Sequence, residues 1–149
     1  MTANIRPATQ ADLRSILSLL AEMHDDTRTG DPEARELELF DRILTQPLRT
    51  LLVAEEAGIV VGTADVLVAE NLSRHGKPWA TVENLVVSRS YRRRGHGKAL
   101  MIHAIRIAEE LGCYKVQLVS NERRARAHSL YEHLGFDAPV RGFRRYLKT

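Results

Sequence analysis

The stretch Val82-Glu-Asn-Leu-Val-Val-Ser-Arg-Ser-Tyr-Arg-Arg-Arg-Gly-His-Gly-Lys-Ala-Leu100 constrains this chain more than any other part of it. A strand-like apolar run ends at Val87, glycines follow at 95 and 97, and a helical pattern begins at once. Glycines at such a junction let the backbone take positive φ and come close to a ligand. The unpaired amides of a helix start point outward with partial positive charge and form an anion site. Arg92, Arg93 and Arg94 can add charge-assisted hydrogen bonds to phosphate. The residues alone therefore read as a phosphate binder, or else as a connector with a solvated basic face. Two familiar phosphate loops fit poorly. The nucleotide P-loop needs Ser or Thr after its lysine, but Ala99 follows Lys98; the dinucleotide fingerprint needs a third glycine where Leu100 stands.

The elements around this junction alternate between strand and helix. Ile5 begins a short strand that Pro7 closes, and Thr9 with Asp12 reads as a capping pair for a helix bearing Leu13, Ile16, Leu17 and Leu20 on one face. Asp31-Pro32 reads as a second helix start, with Leu37, Phe40, Ile43 and Leu44 as its apolar stripe. Thr50 to Ala54 and Ile59 to Val68 flank Glu56-Ala57-Gly58 and should pair as an antiparallel hairpin. Asn71 to Pro78 reads as a loop and Ala80 to Val87 as a strand. A helix is expected from Gly97 to Leu111, stopped by Gly112, then a strand from Lys115 to Val119 and a helix from Ala125 to Leu134. Phe136 to Leu147 suggests two more short strands joined at Gly142. Hairpin pairing first and alternation later predict an α/β fold, with a mixed sheet covered by helices on both faces.

At 149 residues the chain suits one domain, and 44% hydrophobic with 28% charged residues is a globular balance. Apolar runs fall far short of the about 20 residues a bilayer crossing needs. Arg6, Asp12 and Arg14 interrupt any signal-like stretch. One cysteine, Cys113, cannot form an internal disulfide, which fits a reducing, cytoplasmic setting. It is a nucleophile in principle, though a helix-to-strand junction makes burial the plainer reading. The six histidines are dispersed, so no metal site is expected. A net charge of +3 and 5% aromatic residues argue against a nucleic-acid surface built on base stacking.

Two motifs carry a family resemblance. Arg92-x-x-Gly95-x-Gly97 after the strand ending at Val87 resembles the acetyl-CoA pyrophosphate signature of GNAT acetyltransferases. Ala127-His-Ser-Leu-Tyr131-Glu-His-Leu-Gly-Phe136 resembles that superfamily's A-x-x-x-Y-E-x-x-G-F region. They occur in the family's order, separated by one helix and one strand. The likeness covers most of the chain and is weakest from Met23 to Gln46. It implies one GNAT-type domain over residues 1–149, with a mostly antiparallel central sheet. It also implies an acetyl-CoA-dependent N-acetyltransferase acting on the primary amine of a small molecule, with acetyl-CoA as co-substrate and no metal.

The resemblance further implies roles for single residues. The backbones of Leu85, Val86 and Val87 would pair with the pantetheine arm, one of their amides serving as oxyanion donor. Arg92, Arg93, Arg94, Gly95, His96, Gly97 and Lys98 would hold the pyrophosphate. Tyr131 would lie near the sulfur and protonate the departing thiolate. An alkyl ammonium with pKa near ~10 must also lose a proton before attack. Glu83, in an apolar strand run, would take it directly or through a water, or else bind the ammonium. Strict alternation would set Glu83 on one face with Leu85 and Val87. Some family members carry the carboxylate two positions earlier, where this chain has Thr81. The family's usual asparagine seven residues before the tyrosine is replaced by Arg124; Asn121, one turn earlier, is the candidate for its cofactor contact.

The acceptor is less legible. The segment from Ser120 to Tyr131 is similar to small bacterial GNATs acting on small amines, aminoalkylphosphonate acetyltransferases among them, and Glu83-Asn84 is similar to hexosamine-phosphate acetyltransferases. His24, Asp25 and Asp26 could receive a cationic amine or simply end a solvated helix. Acetylation of a protein or peptide amine and a non-catalytic, acetyl-CoA-binding regulatory domain are the competing functions. Neither nucleic acid nor membrane is expected as a partner, and a homodimer is left open.

Overall fold

The expected hairpin of β-branched and apolar residues becomes the centre of a five-stranded sheet. The computed structural model describes residues 3–120 and 124–149, and the chain divides into two compact units, Met1–Leu118 and Val119–Thr149. In chain order the first unit holds β1 (Asn4–Pro7), α1 (Leu13–Met23), α2 (Ala34–Leu44), β2 (Arg49–Glu56) and β3 (Ile59–Ala69). It continues with a single turn, α3 (Ser73–Gly76), then β4 (Trp79–Val87), α4 (His96–Glu110) and β5 (Val116–Gln117). The strands lie in sequence order, antiparallel up to β4. β5 is parallel to β4 and short, pairing only Ala80 with Val116 and Thr81 with Gln117.

Cross-strand register decides which helix covers which face. Val53 pairs with Thr63, and Val53 packs with Leu13, Ile16 and Phe40 of α1 and α2. Gly62, the residue before Thr63, therefore turns to the opposite face. A Cβ there would lie 3.2 Å from a Leu100 methyl of α4 and 3.2 Å from the Val86 carbonyl oxygen. Any side chain there would force Leu100 or the β4 backbone to give by a few tenths of an ångström. Helices thus cover both faces of a mostly antiparallel sheet, as expected. On α4 the buried residues include His96, Leu100, Ala104 and Ala108, a four-residue spacing that marks one stripe.

The first helix is pinned as the sequence suggests. Asp12 accepts from the Thr9 amide at 2.7 Å and from both terminal nitrogens of Arg6 at 2.7 and 2.9 Å. These bonds hold the Asp12 carboxyl below its ordinary range, the Arg6 contact first. A depressed carboxyl contributes stability above its unfolded pKa and loses it as pH falls through the folded value. Asp12→Ala is expected to cost about 1–3 kcal/mol near neutral pH and to flatten the acid limb of a stability-against-pH curve. A variant melting as wild type does would remove this pair from the account.

Several expected boundaries move. The second helix begins at Ala34 with Glu33 as its cap, and Pro32 lies before it, because the Glu36 side chain accepts the Glu33 amide at 2.8 Å. The loop after β3 contains the α3 turn, wound left-handed at Arg74 (φ 55°) and His75 (φ 59°). The strand expected from Lys115 to Val119 shrinks to two residues.

The second unit contains α5 (Ala125–His133), on which Tyr131 is buried and meets Phe136 edge-on with centroids 6.1 Å apart. Phe136 donates its amide to the Tyr131 carbonyl at 3.0 Å, closing the helix as Gly135 takes a left-handed φ of 88°. The two strands expected between Phe136 and Leu147 are absent among the described residues. Nothing there forms a backbone ladder, and Val140, Phe143, Tyr146 and Leu147 stay exposed. Alternation alone does not hold a strand without a pairing neighbour.

Candidate active site

Strand β4 is irregular where the chemistry was expected. Glu83 pairs with Asp65 and Val86 with Thr63, so Asn84 and Leu85 together oppose the single residue Ala64. Asn84 takes a left-handed φ of 53°, and the extra residue makes a β-bulge. Asp65 and Thr63 share a face of β3, so their partners Glu83 and Val86 share it too. Glu83 therefore does not share a face with Leu85 and Val87; the bulge has broken the alternation.

Glu83 is exposed, and the Thr81 hydroxyl donates to it at 3.3 Å. Asp65 opposite is 2% exposed and held by Arg49, with nitrogen–oxygen distances from 2.5 to 3.2 Å. Facing carboxylates repel across a ladder. Arg49 offsets that repulsion by neutralising the buried member. No spacing rule points to this pair.

Past Thr81, β4 has no strand partner on its β5 side among the described residues. The backbone of Leu85, Val86 and Val87 thus runs along an open edge, able to pair with an extended amide chain. Leu85 and Val87 are half-buried and Val86 is buried. One group on this stretch is already used: Arg92 donates its Nε to the Val87 carbonyl at 3.1 Å.

The edge leads into the basic turn. Arg93 (φ 63°) and Gly95 (φ 87°) are left-handed, and α4 follows from His96. Left-handed residues between ordinary ones gather successive amides into a concavity that suits an anion, and the first-turn amides of α4 have no intrahelical acceptor. The arginines here do different work. Arg89 is fastened to the end of α1, its amide donating to Glu22 at 2.6 Å and its guanidinium pairing with Asp25. Asp25 is thereby engaged with protein. Arg94 donates to Glu56 at 2.6 Å and lies over the Tyr91 ring at 4.9 Å. Arg93, Gly95 and Lys98 are exposed, Gly97 is half-buried, and His96 is 2% exposed.

His96 and Glu56 form a buried pair that sequence reading also missed. The His96 Nε2 lies 2.5 Å from Glu56, and its Nδ1 is buried without a partner. His96 and Arg94, in that order, hold the Glu56 carboxyl below its ordinary range. That carboxylate accepts, which assigns the proton to Nε2. A signal existed, since His96 opens the stripe continued by Leu100, Ala104 and Ala108.

Other candidates are placed as follows. Burial raises the Tyr131 phenol above its ordinary pKa, opposed by the charge of Arg124. Arg124 is exposed at the cap of α5, and Asn121 lies outside the described residues. Cys113 is half-buried and burial pushes its thiol up, the wrong direction for a nucleophile at neutral pH. Among the described residues, no group of His, Cys, Asp and Glu could hold a metal ion, and no helix is long and apolar enough to cross a membrane.

An open β4 edge that runs into a left-handed glycine turn at a helix start suits an extended amide chain ending in an anion. The model of the Acetyltransferase (GNAT) family matches residues 14–136, and the chain belongs to that family. It is an N-acetyltransferase. It is 32% identical over 143 residues to the glucosamine 6-phosphate N-acetyltransferase of Trypanosoma brucei brucei, covering 94% of this chain and 92% of that protein. Among solved structures it is similar to an acetyltransferase of Trypanosoma brucei (TM-score 0.83, 31% identity, 98% and 100% of the two chains). A transcriptional regulator of Bacillus halodurans C-125 is also similar (TM-score 0.90, 29% identity, 98% and 100%).

Proposed function

We propose that the chain, acting as one domain over residues 1–149, transfers acetyl from acetyl-CoA to the primary amine of a small molecule by direct attack in a ternary complex. The observation that carries this reading is the open edge of β4 leading straight into the glycine turn. An extended amide chain ending in a pyrophosphate has the shape such an edge and turn would accept. Leu85, Val86 and Val87 pair with the pantetheine, and the turn from Arg92 to Lys98 takes the pyrophosphate, with Asn121 as a further contact. The amine gives its proton to Glu83, directly or through a water, and its nitrogen attacks the thioester carbonyl. One amide of residues 85–87 stabilises the oxyanion. The carbon–sulfur bond breaks, Tyr131 gives its proton to the thiolate, and the second proton that the nitrogen sheds as the amide forms returns to the phenolate, directly or through solvent.

A phosphorylated hexosamine is the first acceptor to test, because a relative sharing 32% identity is a glucosamine 6-phosphate N-acetyltransferase. Thiol release from acetyl-CoA should be followed with that sugar, an aminoalkylphosphonate, a polyamine, an amino acid and a lysine peptide. Turnover of a small amine is expected. Turnover of the peptide alone would move the function to protein acetylation, and no turnover with tight cofactor binding would make the domain regulatory.

Gly97→Val tests the turn. Residue 97 lies in the first turn of α4 and is not left-handed, so valine does not strain the backbone there, and circular dichroism checks that the fold persists. Its side chain would obstruct close approach of the pyrophosphate to the amides. Calorimetry is expected to show acetyl-CoA binding lost, and unchanged affinity in the folded variant would refute the assignment.

A further inference from the structure

We propose that Glu56 is a positioning residue for the cofactor's pyrophosphate: its one carboxylate grips the residues on both sides of the left-handed glycine that opens α4. Oε1 accepts from Arg94 at 2.6 Å and Oε2 from His96 at 2.5 Å, and Gly95 lies between them. This rests on acetyl-CoA binding at that turn.

Three observations combine. Gly95 holds φ 87° while nothing lies within 4 Å of where its Cβ would be, so no packing on the glycine keeps it there. Glycine is the residue with most conformational freedom to lose; its carbonyl accepts from the Ala99 amide at 3.0 Å, and the residues on either side of it are held by Glu56. Glu56 holds them from the end of β2, a rigid element 38 and 40 residues away in sequence. The pair is also shielded from solvent: Glu56 is 8% exposed and His96 2%.

The two partners do different work. A bare carboxylate near an anion site would repel a pyrophosphate; the Arg94 guanidinium offsets its charge, and His96 satisfies its second, buried oxygen. Holding the turn in its binding shape before the ligand arrives removes an ordering cost from association. Arg94 is consumed by this task, so direct phosphate contact falls to Arg92, Arg93, Lys98 and the amides. His96, buried, acts through Glu56 and not on the ligand.

Glu56→Gln and His96→Leu test the clamp, with acetyl-CoA affinity read by calorimetry and steady-state kinetics in parallel. Leucine continues the apolar stripe of α4, so His96→Leu removes the contact while keeping the packing. Each variant is expected to weaken acetyl-CoA binding and raise its KM by about ten-fold or more, the cost of losing a charged hydrogen bond. The kcat at saturating cofactor should change far less, because the bond is made equally in ground and transition states. Unchanged affinity in folded variants overturns the proposal, as does a fall in kcat with KM intact. Wild-type protein that binds no acetyl-CoA overturns the cofactor reading instead.

Discussion

Tyr131→Phe is expected to lower kcat by about 10²–10⁴-fold, with a much smaller change in the KM for acetyl-CoA. The phenylalanine ring keeps the edge-on contact with Phe136 and the burial of the position, so the fold is preserved and only the hydroxyl is lost. Burial raises the phenol above its ordinary pKa, the charge of Arg124 opposing. Tyr131 is therefore protonated at neutral pH and able to donate to a departing thiolate. With Tyr131 as the proposed acid, its raised pKa is expected to sustain activity into the alkaline range before it falls. Wild-type turnover in Tyr131→Phe would reduce the residue to a packing role.

Glu83→Gln is expected to produce a comparable loss at neutral pH, partly recovered as pH rises. Glutamine keeps the shape but accepts no proton, and the acceptor amine is free without help only near its own pKa of ~10. Glu83 is exposed at the edge of the bulge and so within reach of an incoming amine or a bridging water. A raised KM for the amine with kcat intact would make Glu83 a ligand for the ammonium. A variant matching wild type at every pH would remove it from the mechanism.

What the sequence made legible follows from local physics. The hairpin, β4, α4 and α5 were readable because apolar periodicity and glycine stops act within a few residues. So was the glycine turn that opens α4, which depends on residues close together in sequence. The rest depends on contacts distant in sequence. Nothing local announces the bulge at Asn84, since asparagine there looks like one more residue of an alternating strand; the register against Thr63 and Asp65 creates it. Glu56 read as part of a turn because its partners lie 38 and 40 residues on. Arg92, Arg93 and Arg94 looked equivalent until Glu56 claimed one of them. The strands expected after Phe136 failed for the same reason in reverse, their pattern having found no neighbour to pair with.

Direct transfer within a ternary complex is the central claim, and initial rates measured while both acetyl-CoA and the acceptor amine are varied test it most directly. Cys113, the one cysteine, has its thiol pushed up by burial and offers no ready acyl carrier. Double-reciprocal plots are therefore expected to give lines that intersect to the left of the ordinate. Parallel lines, the pattern of an acetylated enzyme formed before the amine binds, would contradict the account.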